Sequence, residues 1–394
     1  MNNLQKRKVV TVFGTRPEAI KMAPLVWALR QDSQINCKIA VTAQHREMLD
    51  QVLELFHLIP DYDLDIMETG QTPFEITTRA LNGLRDIFER ERPDLVLVHG
   101  DTSTTFAGAL AAYYLQIPVG HVEAGLRSGN KYAPFPEEMN RRLTGTLGDL
   151  HFAPTPRARE ELLKEGHDPA SIYVTGNTVI DALLGIVDKE YQFSDPVLRK
   201  IDFAAQRVLV VTTHRRENLG EPLRQIYAAL RDIVEEFPDV VVVFPVHKNP
   251  AVRRVANELL GGMDRIKLIE PLDYLPFGNL MDRSYLVLTD SGGLQEEAPS
   301  LGKPVLVLRE NTERPEAVEA GTVKLVGLAK EKIYQATKQL LTDQAAYNQM
   351  AKAVNPYGDG KASRRIVEAL QHFWGWRAER PEAFIHKPGE REIE

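Results

Sequence analysis

Five segments of this 394-residue chain set charged, hydroxyl or glycine residues directly after short apolar runs of strand length. In an open parallel sheet that is where ligands are met, outside the carboxyl ends of the strands. Carboxylates suited to acid–base work stand out first. Asp101 lies in His99-Gly100-Asp101-Thr102-Ser103-Thr104-Thr105, ahead of a small-residue helix that Asp101, Thr102 or Ser103 would each cap, so capping and catalysis are equally open to it. Glu123 ends the apolar run Val119–Glu123, where a purely structural fold would prefer a neutral or capping residue, and it is the stronger candidate. Glu137 and Arg141 are four apart on a helix opened by Pro136 and share one face; taken in isolation they would be a surface ion pair. Glu137 follows Glu123 closely enough in the chain for both to line one pocket.

The other loaded loops suit an anion. In Gly14-Thr15-Arg16-Pro17-Glu18, Pro17 fits the first helical position, and Lys21 one turn later points back beside Arg16. Val211-Thr212-Thr213-His214-Arg215-Arg216 sets an imidazole and two guanidiniums after a strand. Thr289-Asp290-Ser291-Gly292-Gly293 sets two glycines between a strand and a helix, where the backbone approaches a ligand closely and free N–H groups face a diphosphate. Glu296 and Glu297 follow one turn later, which makes room for a ribose beside the diphosphate.

These loops need parallel sheets to carry them. Apolar runs alternate with amphipathic, helix-length stretches throughout, the pattern of α/β sheets covered on both faces. The clearest strands are Val9–Phe13, Cys37–Thr42, Leu95–His99 and Val119–Glu123, then Val208–Thr212, Val240–Phe244, Leu286–Thr289 and Val305–Leu308. The length, with 43% hydrophobic and 26% charged residues, calls for two domains. The change is placed in the strand-free stretch around Asn177–Ala204. This gives residues 1–178 plus about 358–380 as the first domain, 179–357 as the second, and a charged tail 381–394. From Trp376 onward the charged, proline-containing composition predicts frayed chain.

The net charge of −7 leaves no broad cationic surface for nucleic acid. The single cysteine, Cys37, argues against a disulfide or a structural zinc site. Lys6, Arg7 and Lys8 precede an apolar run too short for a signal peptide, and nothing approaches the roughly 20 apolar residues of a membrane span. The expected location is the cytoplasm.

Together these segments closely resemble the non-hydrolysing UDP-N-acetylglucosamine 2-epimerases: FGTRPEAIKMAPL, VTAQHREMLDQVL, VHGDT, VGHVEAGLRS, PEEMNRRL, THRREN and TDSGGLQEEAPSLGKPVLVLR…TERPEA, in family order from about Val9 to about Leu370. The resemblance implies two Rossmann-like domains whose parallel sheets face a central cleft, as in GT-B glycosyltransferases. It also implies a homodimer that interconverts UDP-N-acetylglucosamine and UDP-N-acetylmannosamine without metal or nicotinamide cofactor, as a supply for surface polysaccharide. Its UDP-binding positions match Arg16, Lys21, His214, Phe277, Ser291, Gly292, Gly293, Glu297 and Arg314, with Leu272 where some relatives have glutamine near the uracil. Its catalytic group matches Asp101, Glu123, Glu137, Arg141 and His214, Asp101 and Glu123 also meeting the substrate. Some members bind a second UDP-N-acetylglucosamine as an activator, near the segment matching Gln44, His45 and Glu47; here Glu47 replaces a glutamine. The implied chemistry is elimination of UDP to a 2-acetamidoglucal and re-addition, with Glu123 and Glu137 moving protons, Asp101 assisting and Arg141 orienting Glu137. A hydrolysing epimerase, a GT-B glycosyltransferase and a non-catalytic nucleotide-sugar sensor are the rival readings.

Overall fold

The computed structural model describes residues 6–43, 46–68 and 70–385. The chain forms two units, one running to Gly185 and resumed at Tyr357–Ile385, the other Ile186–Pro356. Both are parallel α/β sheets, as expected for Rossmann-like domains.

The first unit has seven strands: β1 (Arg7–Phe13), β2 (Ile35–Val41), β3 (Tyr62–Asp63), β4 (Leu95–His99), β5 (Val119–Val122), β6 (Leu150–Ala153) and β7 (Ile172–Val174). They lie in the order β3-β2-β1-β4-β5-β6-β7. The second has six: β8 (Arg207–Thr212), β9 (Val240–Pro245), β10 (Ile266–Ile269), β11 (Leu286–Thr289), β12 (Val305–Val307) and β13 (Val323–Leu325), ordered β10-β9-β8-β11-β12-β13. In each sheet the chain winds one way from the first strand and the other way from the fourth. The β1/β4 and β8/β11 pairs, in register from Val9↔Leu95 and Leu209↔Leu286, therefore mark the switch points where an open sheet meets its ligand.

Helices cover both faces, so the central strands read as unbroken apolar runs: Val9, Val10, Val12 and Phe13, and Leu286, Val287 and Leu288, are all 0% exposed. Helix Ser103–Tyr114 sits close to its sheet because Gly108 lacks a Cβ, which would stand 3.1 Å from Val98 and 3.4 Å from Val12. Gly14, just after β1, has less room still, since a Cβ there would come within 2.0 Å of the Thr42 hydroxyl.

Helix Thr178–Ile186, up to its last residue, and helix Ala362–Phe373 belong to the first unit. Asp181 on the former accepts the opening N–H groups of the latter, from Ala362 at 3.1 Å and Ser363 at 2.7 Å, which satisfies donors a helix start leaves unpaired. Residues beyond Trp376 are not frayed as far as Ile385. Arg380 donates to the carbonyls of Ala170 (2.8 Å) and Ile172 (2.7 Å) and stacks over Tyr173, while the Phe384 N–H donates to Val174 O at 2.8 Å. Phe384 is 5% exposed. The charged segment thereby occupies the open hydrogen-bonding edge of β7, which otherwise presents unpaired backbone groups.

Three buried histidines lie in the first sheet: His99 ends β4, His121 is on β5, and His151 is on β6. Burial pushes His99 down to about 4 and His151 down to about 3, and holds His121 well below its usual value. Among the described residues no helix is long and apolar enough to cross a membrane.

Phe384→Ala should lower the stability of the first unit by about 3 kcal/mol, read from urea or thermal unfolding; a wild-type midpoint would mean the segment merely lies on the surface. Acid should destabilise the same unit. The folded-state values of His99 and His151 lie below the unfolded value near 6.5, so the unfolded chain takes up protons first. Their stabilisation is whole above about pH 7 and is lost as pH falls through 6.5 toward 4, by about 2 kcal/mol for each at about pH 5. Comparing urea unfolding at about pH 7.5 and pH 5, His151→Gln should show a visibly smaller loss than wild type, and an equal loss would contradict the assignment.

Candidate active site

Each switch point is fastened by one buried acid. After β1, Thr15 begins helix Arg16–Gln31, and Glu18 folds back on it. Glu18 is 3% exposed. One of its oxygens accepts from Gly14 N (3.1 Å), Thr15 N (2.8 Å) and Thr15 Oγ1 (2.7 Å); the other accepts from Thr102 Oγ1 (2.7 Å) and Thr105 Oγ1 (3.1 Å), on the loop after β4. Burial raises its pKa, opposed by these hydrogen bonds. Thr102 is also the residue that caps helix Ser103–Tyr114, through Thr105 N at 3.1 Å. Asp101 is thus released from capping.

The released carboxylate meets Arg141. The Arg141 guanidinium, 6% exposed, pairs with Asp101, donates to the carbonyl of Glu123, and reaches Glu123 Oε1 at 3.4 Å. Glu123 follows β5 at φ 61°, a left-handed conformation that strains a non-glycine residue and turns its carboxylate into this cluster. Its other oxygen pairs with Lys21 and accepts from Asn177 Nδ2 at 3.0 Å, and His99 Nε2 lies 3.9 Å away. Burial pushes the Glu123 carboxyl up, but Lys21, His99 and Arg141 outweigh it and hold the group well below the usual range. Asp101, Glu123, Arg141 and Lys21 are therefore one network with Glu123 and Arg141 buried at its centre and Asp101 and Lys21 partly exposed at its edge.

Glu137 stands differently. It opens helix Glu137–Leu147, and its Oε2 is buried without a hydrogen-bond partner among the described residues. The ion pair expected from its i,i+4 spacing to Arg141 does not form, because Arg141 reaches two acids on other loops where burial makes the pairing stronger. Arg141 orients Asp101 and Glu123, not Glu137. Arg16 is half-buried at its helix start, with no ion pair among the described residues.

In the second unit Asp290, 0% exposed, plays the part of Glu18. Its Oδ2 accepts from His214 N (2.9 Å), Arg215 N (3.0 Å) and Asn218 Nδ2 (3.0 Å), and Oδ1 lies 2.8 Å from His214 Nδ1. Burial pushes Asp290 up, but the hydrogen bonds from the His214 ring and Arg215 bring it below its ordinary value. Ser291 precedes helix Gly292–Ser300 without a side-chain cap, so the first N–H groups of that helix, at Gly292 and Gly293, are presented beside the His214 loop. Glu297 lies against buried Tyr274, whose phenol is held well above its ordinary range by burial and by that carboxylate. Arg314 pairs with buried Glu296. Leu272 and Phe277 lie half-buried past the end of β10. Gln44, His45 and the side chain of Glu47 lie outside the described residues.

Glu18, His99, Asn177 and Asp290 were not singled out from sequence. Asp290 had a readable signal, an acid directly after a strand and before Ser-Gly-Gly; Asn177 sat in the stretch taken for the domain change. Among the described residues no group of three or more His, Cys, Asp or Glu could hold a metal ion.

The family model described as UDP-N-acetylglucosamine 2-epimerase matches residues 27–371. The UDP-N-acetylglucosamine 2-epimerase of Bacillus subtilis (strain 168) is 59% identical over 384 residues, covering 98% of this chain and 100% of the relative. A crystal structure of a UDP-N-acetylglucosamine 2-epimerase superposes with a TM-score of 0.90 at 57% identity, over 97% of this chain and 100% of that one. The enzyme from Neisseria meningitidis, crystallised bound to UDP-GlcNAc, gives 0.80 at 51% identity over 93% and 100%. The buried carboxylate network and the open helix start thus occur in a chain that belongs to the UDP-N-acetylglucosamine 2-epimerase family.

Proposed function

We propose that the protein inverts C2 of the sugar in UDP-N-acetylglucosamine, giving UDP-N-acetylmannosamine, by eliminating and re-adding UDP. The observation that carries this reading is the division of labour between the two switch points: one gathers carboxylates and cations, the other presents unpaired helix N–H groups with an imidazole. Family membership and a relative crystallised with UDP-GlcNAc support the substrate.

The C2 proton is not next to a carbonyl and is too weakly acidic for a carboxylate to remove directly. As the C1–O bond breaks, positive character at C1 makes it removable, and the electron pair of the C2–H bond forms the C1=C2 double bond of a 2-acetamidoglucal. In this reading the departing UDP is stabilised by the donors of the second unit, at Ser291, Gly292 and Gly293 with His214, and the family resemblance adds Arg16 and Lys21 as further contacts. Re-addition reverses the flow, with a proton delivered to the opposite face of C2. Two faces require two proton carriers. Glu123, ionised and held by Lys21, Asn177 and Arg141, is one; Glu137, with an unpartnered oxygen, is the other, and Asp101 assists through Arg141.

Phe277, Leu272, Glu297 and Arg314 complete the nucleotide site in this reading. A homodimeric, cytoplasmic enzyme whose product supplies surface polysaccharide fits the same family.

Incubation with UDP-N-acetylglucosamine in deuterated water should yield intact UDP-N-acetylmannosamine carrying deuterium at C2 by NMR. Free N-acetylmannosamine would favour hydrolysis instead, and unchanged substrate would favour a transferase or a sensor. Glu137→Gln should reduce kcat by about 10²-fold or more while UDP affinity, measured by calorimetry, stays within about threefold; full turnover would remove Glu137 from proton transfer.

A further inference from the structure

The pairing of Asp290 with His214 does more than close a loop. Asp290 is fully buried, whereas the His214 side chain is 41% exposed, so the ring turns its Nδ1 edge inward, 2.8 Å from Asp290 Oδ1, and its Nε2 edge outward. The carboxylate is locked by donors unrelated to the ring: the N–H groups of His214 and Arg215 and the amide of Asn218 all converge on Oδ2. Oδ1 takes the imidazole at 2.8 Å, with a longer share of the His214 N–H at 3.2 Å. An ionised carboxylate only accepts hydrogen bonds, so the ring nitrogen facing it must carry the proton.

We propose that Asp290 is a positioning residue that holds His214 with its proton on Nδ1, so that Nε2, left free to bind a proton, is the atom presented to the departing diphosphate. This rests on the reading of His214 as a leaving-group contact. Asp290 itself touches no substrate. It acts by fixing the tautomer and plane of the ring, the part an orienting acid plays beside a working histidine. The charged and titratable neighbours are few: the His247 ring is centred 6.0 Å from that of His214, with its Nδ1 accepting from Asn249 N at 3.2 Å, and the Arg215 guanidinium is turned onto Asp290 O at 3.1 Å. Neither competes for His214 Nδ1.

Asp290→Asn is the informative change. Three donors at Oδ2 hold the amide oxygen there and place the NH2 group where Oδ1 was, so His214 Nδ1 must become an acceptor and the neutral ring must move its proton to Nε2. Long-range ¹H–¹⁵N NMR of the wild-type enzyme, with the His214 signal assigned by its loss in His214→Asn, should show the neutral ring protonated on Nδ1; protonation on Nε2 would overturn the proposal with no variant of Asp290 needed. In Asp290→Asn the tautomer should switch and kcat should fall by about tenfold or more, with KM within about threefold. Adding Asp290→Asn to His214→Asn should cost less than about a further twofold, because a residue that acts only through His214 has nothing left to act on. Wild-type kcat in Asp290→Asn, or additive losses in the double variant, would overturn the proposal. Wild-type kcat in His214→Asn would instead remove His214 from the reaction, a separate failure.

Discussion

A parallel strand that ends at a switch point leaves two loops side by side with their N–H groups turned inward, and something buried must accept those hydrogen bonds. Both units use a single carboxylate. Glu18 reaches back from the helix after β1 to the loops after β1 and β4, while Asp290 reaches from the end of β11 to the loop after β8. An unpaired buried N–H costs about 1–3 kcal/mol, so one acid accepting three to five donors holds both loops in a single geometry. Everything chemical is arranged above that tie. With Thr102 occupied by Glu18 and by its cap, Asp101 is left to Arg141; with Asp290 holding the His214 loop, the Ser291 helix start remains open.

The two ties leave opposite electrostatics. Around buried Glu123 two cations answer two carboxylates within one network, which keeps the acid charged where burial alone would neutralise it. Beside Asp290 the acid is consumed internally by hydrogen bonds, and what remains outward is the partial positive charge of a helix start without a side-chain cap, with an imidazole edge beside it. The same fold with the same strand order therefore yields a site for proton movement in one unit and for anion binding in the other, and the difference lies in a few residues after each strand.

Those residues were largely legible in the sequence, and so were the central strands, because strands buried on both faces read as unbroken apolar runs. β3, β6, β7, β10 and β13 escaped: they have two to four residues, include His151, Tyr173, Lys267 and Lys324, and are completed by pairing with a neighbour already in place. Spacing misled once in the site. Glu137 and Arg141 share a helix face, but an i,i+4 pair is worth only a few tenths of a kcal/mol and loses to buried partners that are distant in sequence. The charged composition after Trp376 likewise hid one aromatic, Phe384, whose burial fastens the segment to β7.

The strained backbone at Glu123 fits the same logic. A carboxylate in an ordinary extended conformation at the end of β5 would follow the strand's alternation toward one face of the sheet, under a helix. A left-handed φ of 61° costs about 1–3 kcal/mol, and swings the side chain off that path to where Lys21, Asn177 and Arg141 converge. Arg141 also holds the Glu123 carbonyl, so the guanidinium that answers the side chain's charge secures the backbone turn that brings it there. Conformational strain and electrostatic stabilisation are thus parts of one arrangement. Relieving either alone would leave a buried charge without its partners or a turn without its hold.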